Sequence, residues 1–390
     1  MINKEQVTAL ICECNPFHEG HKRIITKAKE NADFLVCIMS PDFVQRGEPA
    51  VYDKYKRTEI LLKNGADLVI ELPIEYALSS ARYFAKAGVY IADKLGFVDN
   101  LIFGSFVNDF DKIKQIADIT YDVKEEFDKQ LNSRTNNRAK NKNHRYNNDS
   151  EKNYNEKIKS NLQKGMSYPK ALSMSMGIDL YSNDILNIEY LNALRELKSN
   201  IKPIIVERKK DIKGASDIRK TMKDIVTLDN FSDYLNQILF YSIKNNNDYL
   251  DFYGIDESFN NSLLNISNIN MSFSERVEKL STKNRTVASV KRNLLHILLD
   301  IKKKDLKSKN YFSKYNYIRI LGFSDSFKNN IKKIELPYLL GYTKKELERF
   351  DTNFYNHEIN RSILLNIYAS DLYQYVSGSD IFEANRKIVK

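Results

Sequence analysis

Residues Asn15-Pro16-Phe17-His18-Glu19-Gly20-His21 follow directly on an apolar run from Val7 to Cys14 and carry the most chemically pointed pattern in the chain. Two imidazoles three residues apart, with a glycine between them, stand where a strand hands over to a helix. A helix start leaves backbone N–H groups unpaired and carries partial positive charge, so it receives a phosphate readily. Gly20 lets such a group approach the main chain, while His18 and His21 project from one helical turn. This favours stabilisation of phosphoryl charge; a buried turn whose histidines only cap or pack is the plainer alternative. A second constellation lies in Ala215-Ser216-Asp217-Ile218-Arg219, where Ser216 suits the N-cap and Arg219 the first turn of a short helix. Nothing resembles a Ser-His-Asp nucleophile. Cys12, Cys14 and Cys37 fall in predicted strands without metal-ligand or disulfide spacing, so they read as buried reduced thiols.

The elements that must position these groups are legible from periodicity. Val7 to Cys14, Phe34 to Met39, Leu68 to Leu72 and Asn100 to Gly104 read as buried strands. His21 to Asn31, Lys54 to Asn64 and Ser80 to Leu95 carry apolar residues at helical spacing, and Lys54 and Arg57 open the second of these on one face. Strand and helix in alternation predict an α/β fold with a doubly wound parallel sheet. Ligands in such sheets lie at the carboxyl ends of the strands, where the His18 turn and Gly104 both fall. Further on, Ser160 to Met176 and Asp184 to Leu197 read as helices and Ile201 to Val206 as another strand, with Arg208 at its carboxyl end. Beyond residue 225 the strand pattern fades. The expected division is a Rossmann-like domain over 1–225 and a mainly α-helical domain over 226–390.

The chain has 390 residues, enough for two cores, and a net charge of +10. It shows neither a signal-peptide core nor a run of eighteen apolar residues, so a soluble, cytoplasmic protein with no membrane partner is expected. Residues 281 to 320 hold eleven Lys or Arg against two Asp, a footprint for a polyanion. Within and beside that footprint, Lys283, Arg285, Lys291, Arg292, Lys302, Lys303 and Lys304 are the candidate RNA contacts. Tyr311, Phe312, Tyr315 and Tyr317 are candidates for base stacking. Residues 129–160, with nine Asn and nine Lys or Arg, read as a flexible surface insertion.

With Asn-Pro-Phe in front, the first constellation resembles the H-x-G-H signature of the nucleotidylyltransferase superfamily. Met39-Ser40-Pro41-Asp42-Phe43-Val44-Gln45-Arg46-Gly47-Glu48-Pro49-Ala50, Asp67 to Pro73, Phe103-Gly104-Ser105, Ile188-Glu189-Tyr190-Leu191 and Tyr317 to Phe323 resemble the bacterial tRNA(Met) cytidine acetate ligases. The resemblance spans nearly the whole chain and is densest over residues 7 to 105. It implies that acetate attacks the α-phosphate of ATP to give acetyladenylate and pyrophosphate. The N4 amine of the wobble cytidine of elongator tRNA(Met) then takes the acetyl group and releases AMP. It also implies that His18, His21, Ser216 and Arg219 are catalytic. The ATP site would comprise Ile11, Cys12, Glu13, Cys14, Asn15, Pro16, Phe17, His18, Glu19, Gly20, His21, Lys22, Arg23 and Ile24, with Gly104, Asn183 and Arg208. Mg2+ is expected with the triphosphate, with no protein carboxylate cage to hold it.

The chain departs from the family pattern in places. Ser40-Pro41-Asp42 stands where Ser-Gly-Asn is usual, Asp184-Ile185-Leu186-Asn187 where Asn-Ile-Leu-Gly is usual, and Lys209 to Gly214 lacks a Gly-Ala-Gly-Tyr-His stretch. Two rivals remain at this level. One is an adenylyltransferase acting on a small phosphorylated acceptor, and the other is a catalytically inactive RNA-binding protein.

Overall fold

Alternation along the central strands decides which helices cover which face. The structure is a computed structural model describing residues 5–107, 109–121, 149–164, 166, 168–209, 211–245, 248–306, 317–343, 346–347 and 357–390. β1 (Val7–Cys12) pairs in parallel with β2 (Phe34–Met39) on one side and with β6 (Asn100–Ser105) on the other. Val7, Ala9, Ile11, Val36 and Ile38 face α4 (Ala81–Lys94), packing on Phe84, Ala85 and Val89. Their neighbours Leu10, Cys12, Leu35, Cys37 and Met39 face the opposite way, onto Ile24, Ile25 and Ala28 of α1 (Glu19–Lys29) and Tyr55 and Leu61 of α2 (Lys54–Lys63). A sheet covered on both faces needs continuous apolar strands, which is how these segments read. The three cysteines are buried and free.

The seven-stranded sheet runs β7-β6-β1-β2-β5-β8-β9, with β5 (Leu68–Glu71), β7 (Lys202–Glu207), β8 (Ile318–Phe323) and β9 (Tyr338–Leu339) completing it. The chain steps outward from β1 to β2 and β5, then returns to the other side of β1 as β6 and β7. The strand order therefore reverses between β1 and β6, and the crevice beyond their carboxyl ends is the expected ligand position.

Residues 226–390 are mainly helical, as expected, and they also return two strands to the sheet. β8 pairs antiparallel with β5, and β9 pairs in parallel with β8. The buried Arg319 interrupts an otherwise apolar run and masks the strand signal. Arg319 belongs to a buried polar cluster that locks the far end of the chain onto the first half. Lys54 Nζ lies 2.7 Å from Glu71 and 3.0 Å from Glu383, and the Tyr55 hydroxyl donates to Glu383 at 2.6 Å. The helical core of Phe231, Leu235, Phe259, Phe273, Leu294 and Leu298 also takes in Phe43, Ile74 and Leu78 from the first half.

Other expectations shift. Ser160 to Met176 is two helices, α5 (Asp149–Gln163) and α6 (Tyr168–Met176). The last dozen residues of the expected insertion are therefore ordered, anchored by Ile158, which packs with Leu172 and Ile185; residues 129–148 lie outside the described part. Tyr317 is a core residue, 1% exposed, while Tyr311, Phe312 and Tyr315 lie outside the described residues. Among the described residues no helix is long and apolar enough to cross a membrane.

Candidate active site

The turn after β1 is built by its own histidines. His18 takes the N-cap position of α1 with extended backbone, and its Nδ1 accepts the Gly20 N–H at 3.0 Å. In return, His21 Nδ1 accepts the His18 N–H at 3.3 Å. This is a capping box in which two imidazoles replace the usual hydroxyl and carboxylate. A neutral imidazole has one N–H, so a ring whose Nδ1 accepts carries its proton on Nε2. Both rings therefore present an Nε2–H donor. They lie 4.0 Å apart between centroids, with Phe17 stacked 5.6 Å from His21. A Cβ at Gly20 would sit 2.7 Å from His18 Cε1, so glycine is the residue that lets the His18 ring fold back over the turn.

Burial, aided by Arg208, holds His18 down to about 4. Burial, the His18 ring and Arg208 hold His21 well below its ordinary value. Both are neutral donors at physiological pH, which suits groups that must receive anionic oxygens without surrendering a cap.

Arg208 follows β7 and places its guanidinium 5.1 Å from the Phe106 ring centre. Its methylenes and Ile24 crowd Gly104, where a Cβ would meet Arg208 Cγ and Ile24 Cδ1 at 3.0 Å. The glycine thus admits Arg208 across the end of β6. That strand end is held by α7 (Ser182–Glu196): Asp184 accepts from Ser105 Oγ at 2.8 Å and from the Phe106 N–H, and Asn187 Nδ2 donates to the Gly104 carbonyl at 3.0 Å. The departures at 184 and 187 are accordingly integrated into the site's frame. Asn183 lies half-buried in the first turn of the same helix.

The second constellation is α8 (Ala215–Arg219), capped by Gly214 rather than by Ser216, which lies exposed inside the helix. Gly214 takes the extended backbone of an N-cap, displacing the expected start by two residues. Arg219 crosses to the first constellation, donating to the Asn15 carbonyl at 2.5 Å. Its second nitrogen lies 3.5 Å from Glu48.

Periodicity pointed to Arg57 only as part of a helix face. It is fully buried, and its guanidinium donates to the carbonyls of Tyr52, Glu13, Ser40 and Pro41. It thereby ties together the segments leaving β1 and β2. Asn15 is 3% exposed; its Oδ1 accepts the Val51 N–H, while its Nδ2 has no partner among the described residues. Lys22 and Arg23 line a groove of about 620 Å³ between α1 and β7, together with Glu19, Val206 and Lys209.

Of the basic candidates, Lys283 and Lys304 are exposed. Lys302 lies 3.5 Å from the Phe252 ring centre. Lys303 is half-buried, and Arg285 docks on Ser258 and Ser262. Lys291 and Arg292 turn inward: the first contacts Glu48 at 2.7 Å and the second donates to the Gln45 carbonyl at 3.0 Å.

The HIGH nucleotidyl transferase family profile matches residues 5–148, 139–225 and 212–386, nearly the whole chain. The chain belongs to this family. Among its relatives, the tRNA(Met) cytidine acetate ligase of Acetivibrio thermocellus is 30% identical, with 94% of each chain covered. That of Clostridium perfringens strain SM101 is 31% identical, covering 92% of this chain and 97% of its own. The crystal structure of Thermotoga maritima TmcAL bound with alpha-thio ATP superposes with a TM-score of 0.80 at 25% identity, covering 99% of this chain and 100% of that one. Within the HIGH nucleotidyl transferases, this chain thus falls among the tRNA(Met) cytidine acetate ligases over more than nine-tenths of its length.

Proposed function

We propose that this chain is an ATP-dependent ligase that activates acetate as acetyladenylate and transfers the acetyl group to N4 of the wobble cytidine of elongator tRNA(Met). One observation carries the reading: two neutral imidazoles, their Nε2–H groups free of the capping bonds, share a helix start with Arg208 nearby. An acetate oxygen forms a bond to the α-phosphorus while the bond to the bridging oxygen breaks and pyrophosphate leaves. Negative charge builds on the α-phosphate oxygens and on the departing group, so fixed donors and cations supply most of the catalysis. His21 and His18 donate from Nε2 to the phosphate oxygens. Arg208 and Arg219 add charge, and Ser216 sits on the helix that carries Arg219. The cytidine amine next attacks the acetyl carbonyl, AMP leaves with the carboxyl-derived oxygen, and the amine loses its proton.

Among the described residues no group of three or more His, Cys, Asp or Glu is placed to hold a metal. Magnesium accompanying the triphosphate would be held by phosphate and water. Alpha-thio ATP in the Thermotoga maritima relative supports the nucleotide assignment.

The test uses ATP, radiolabelled acetate and total tRNA. The wild-type chain releases pyrophosphate only with acetate and yields labelled N4-acetylcytidine. His21→Ala lowers acetate-dependent pyrophosphate release about 100-fold or more and leaves tRNA affinity unchanged. Pyrophosphate release insensitive to acetate would contradict the reading.

A further inference from the structure

Lys291 stands in the basic segment that sequence alone assigns to RNA, yet its ammonium points into the protein. The helix that carries it, α12 (Val287–Leu298), is docked against the turn between β3 (Phe43–Val44) and β4 (Glu48–Pro49). The docking is close. Gly47 adopts φ +74, and a Cβ there would lie 2.8 Å from the Arg292 nitrogen and from Lys291 Cβ. A left-handed glycine pressed on a helix backbone leaves the turn little freedom to slide. Arg292 holds one side of the turn through the Gln45 carbonyl, and the Gln45 N–H donates to Glu13 Oε1 at 2.7 Å on the other.

Glu48 is the output of that arrangement. One carboxylate oxygen accepts from Lys291 at 2.7 Å and the other faces Arg219 at 3.5 Å. The three side chains are between 19% and 28% exposed, sheltered enough for the contacts to persist. Arg219 needs such a guide. Its own helix has five residues, none buried, so packing of that helix does not fix where the guanidinium goes. Its anchors are the Asn15 carbonyl, three residues before His18, and the Glu48 carboxylate.

We infer that Lys291 and Glu48 are positioning residues for acetate adenylation, acting through Arg219, rather than parts of the RNA surface. The inference rests on the proposal that Arg219 adds charge at the triphosphate. Glu48 holds the guanidinium beside the His18 turn, and Lys291 holds Glu48 at the right height while offsetting its charge. Removing either lets Arg219 swing away without altering the histidines. The Glu48 carboxylate also weakens the local positive potential, so its neutralisation does not weaken ATP binding.

The experiment measures acetate-dependent pyrophosphate release without tRNA, together with tRNA affinity at fixed salt. Glu48→Gln and Lys291→Met each lower kcat about tenfold with KM for ATP unchanged or lower, and Lys291→Arg restores most of the loss. In an Arg219→Ala background, neither change lowers the residual rate further, because the group they position is gone. tRNA affinity stays within about twofold of wild type for both. A change that merely damaged the fold would still lower the rate in the Arg219→Ala background. Additive losses there overturn the inference while leaving Arg219 in the site. Wild-type rates for Arg219→Ala overturn the underlying reading as well. Loss of tRNA affinity in Lys291→Met with normal pyrophosphate release returns Lys291 to the RNA surface and overturns the inference.

Discussion

The imidazole pair makes one residue, Gly20, answer for both local structure and chemistry. In a helix interior, alanine is favoured over glycine by roughly 1 kcal/mol, and less so near the start. Here an added methyl would collide with the His18 ring at 2.7 Å and 2.9 Å. The ring must rotate away, lose the Gly20 N–H and carry its Nε2–H off target. Gly20→Ala is therefore expected to leave thermal stability nearly unchanged and to lower kcat for pyrophosphate release about tenfold, since small misplacements of a catalytic group are costly. Stability measured beside activity separates the two effects; an active Gly20→Ala would show that the folded-back ring is not the working geometry. Lys291 shows the limit of residue-level reading. Charge in a basic segment points to a polyanion, whereas the group that Lys291 contacts in the fold, Glu48, lies 243 positions away.

At the scale of elements, strands buried on both faces were the most legible part of the chain. Phe34–Met39 matches its expected bounds, and β1, β5 and β6 differ by a residue or two at one end, because a short unbroken apolar run between polar turns is what a strand covered on both faces requires. The strand-to-helix turn at His18 and the position of Gly104 were legible for the same reason: a parallel sheet dictates where its carboxyl ends lie. Short and polar-interrupted elements were not. The two-residue strands Phe43–Val44 and Glu48–Pro49 offer no period, β8 carries Arg319 as its second residue, and Ser216 looks like a cap until Gly214 is seen to take that place. Arg57 lacked a signal because its work is done through backbone carbonyls, which carry no side-chain identity.

Across the whole molecule, the buried cluster of Lys54, Glu71, Arg319 and Glu383 closes the chain on itself. Burial pushes the Glu383 carboxyl up, but Lys54 and Arg319 outweigh it and keep the group below its ordinary value. Such a cluster is weak evidence of net stability, yet removing one partner leaves a charge buried without compensation. Glu383→Ala also strips the acceptor of the Tyr55 and Ser370 hydroxyls. It is expected to cost about 3–5 kcal/mol in urea denaturation. A cost near zero would show that residues after α14 (His357–Val376) are not part of the cooperative unit. With 61 Lys and Arg against 51 Asp and Glu, the molecule as a whole is attractive to nucleic acid. On the proposed reading, function is divided between a sheltered phosphate site, where neutral imidazoles stand beside Arg208 and Arg219, and a basic exterior.

The most direct measurement is a crystal structure with an unhydrolysable ATP mimic. The account predicts phosphate oxygens at roughly 2.7–3.2 Å from Nε2 of both His18 and His21, with the capping bonds at both Nδ1 atoms retained. A triphosphate seated away from that turn, or rings bound to it through Nδ1, would contradict it.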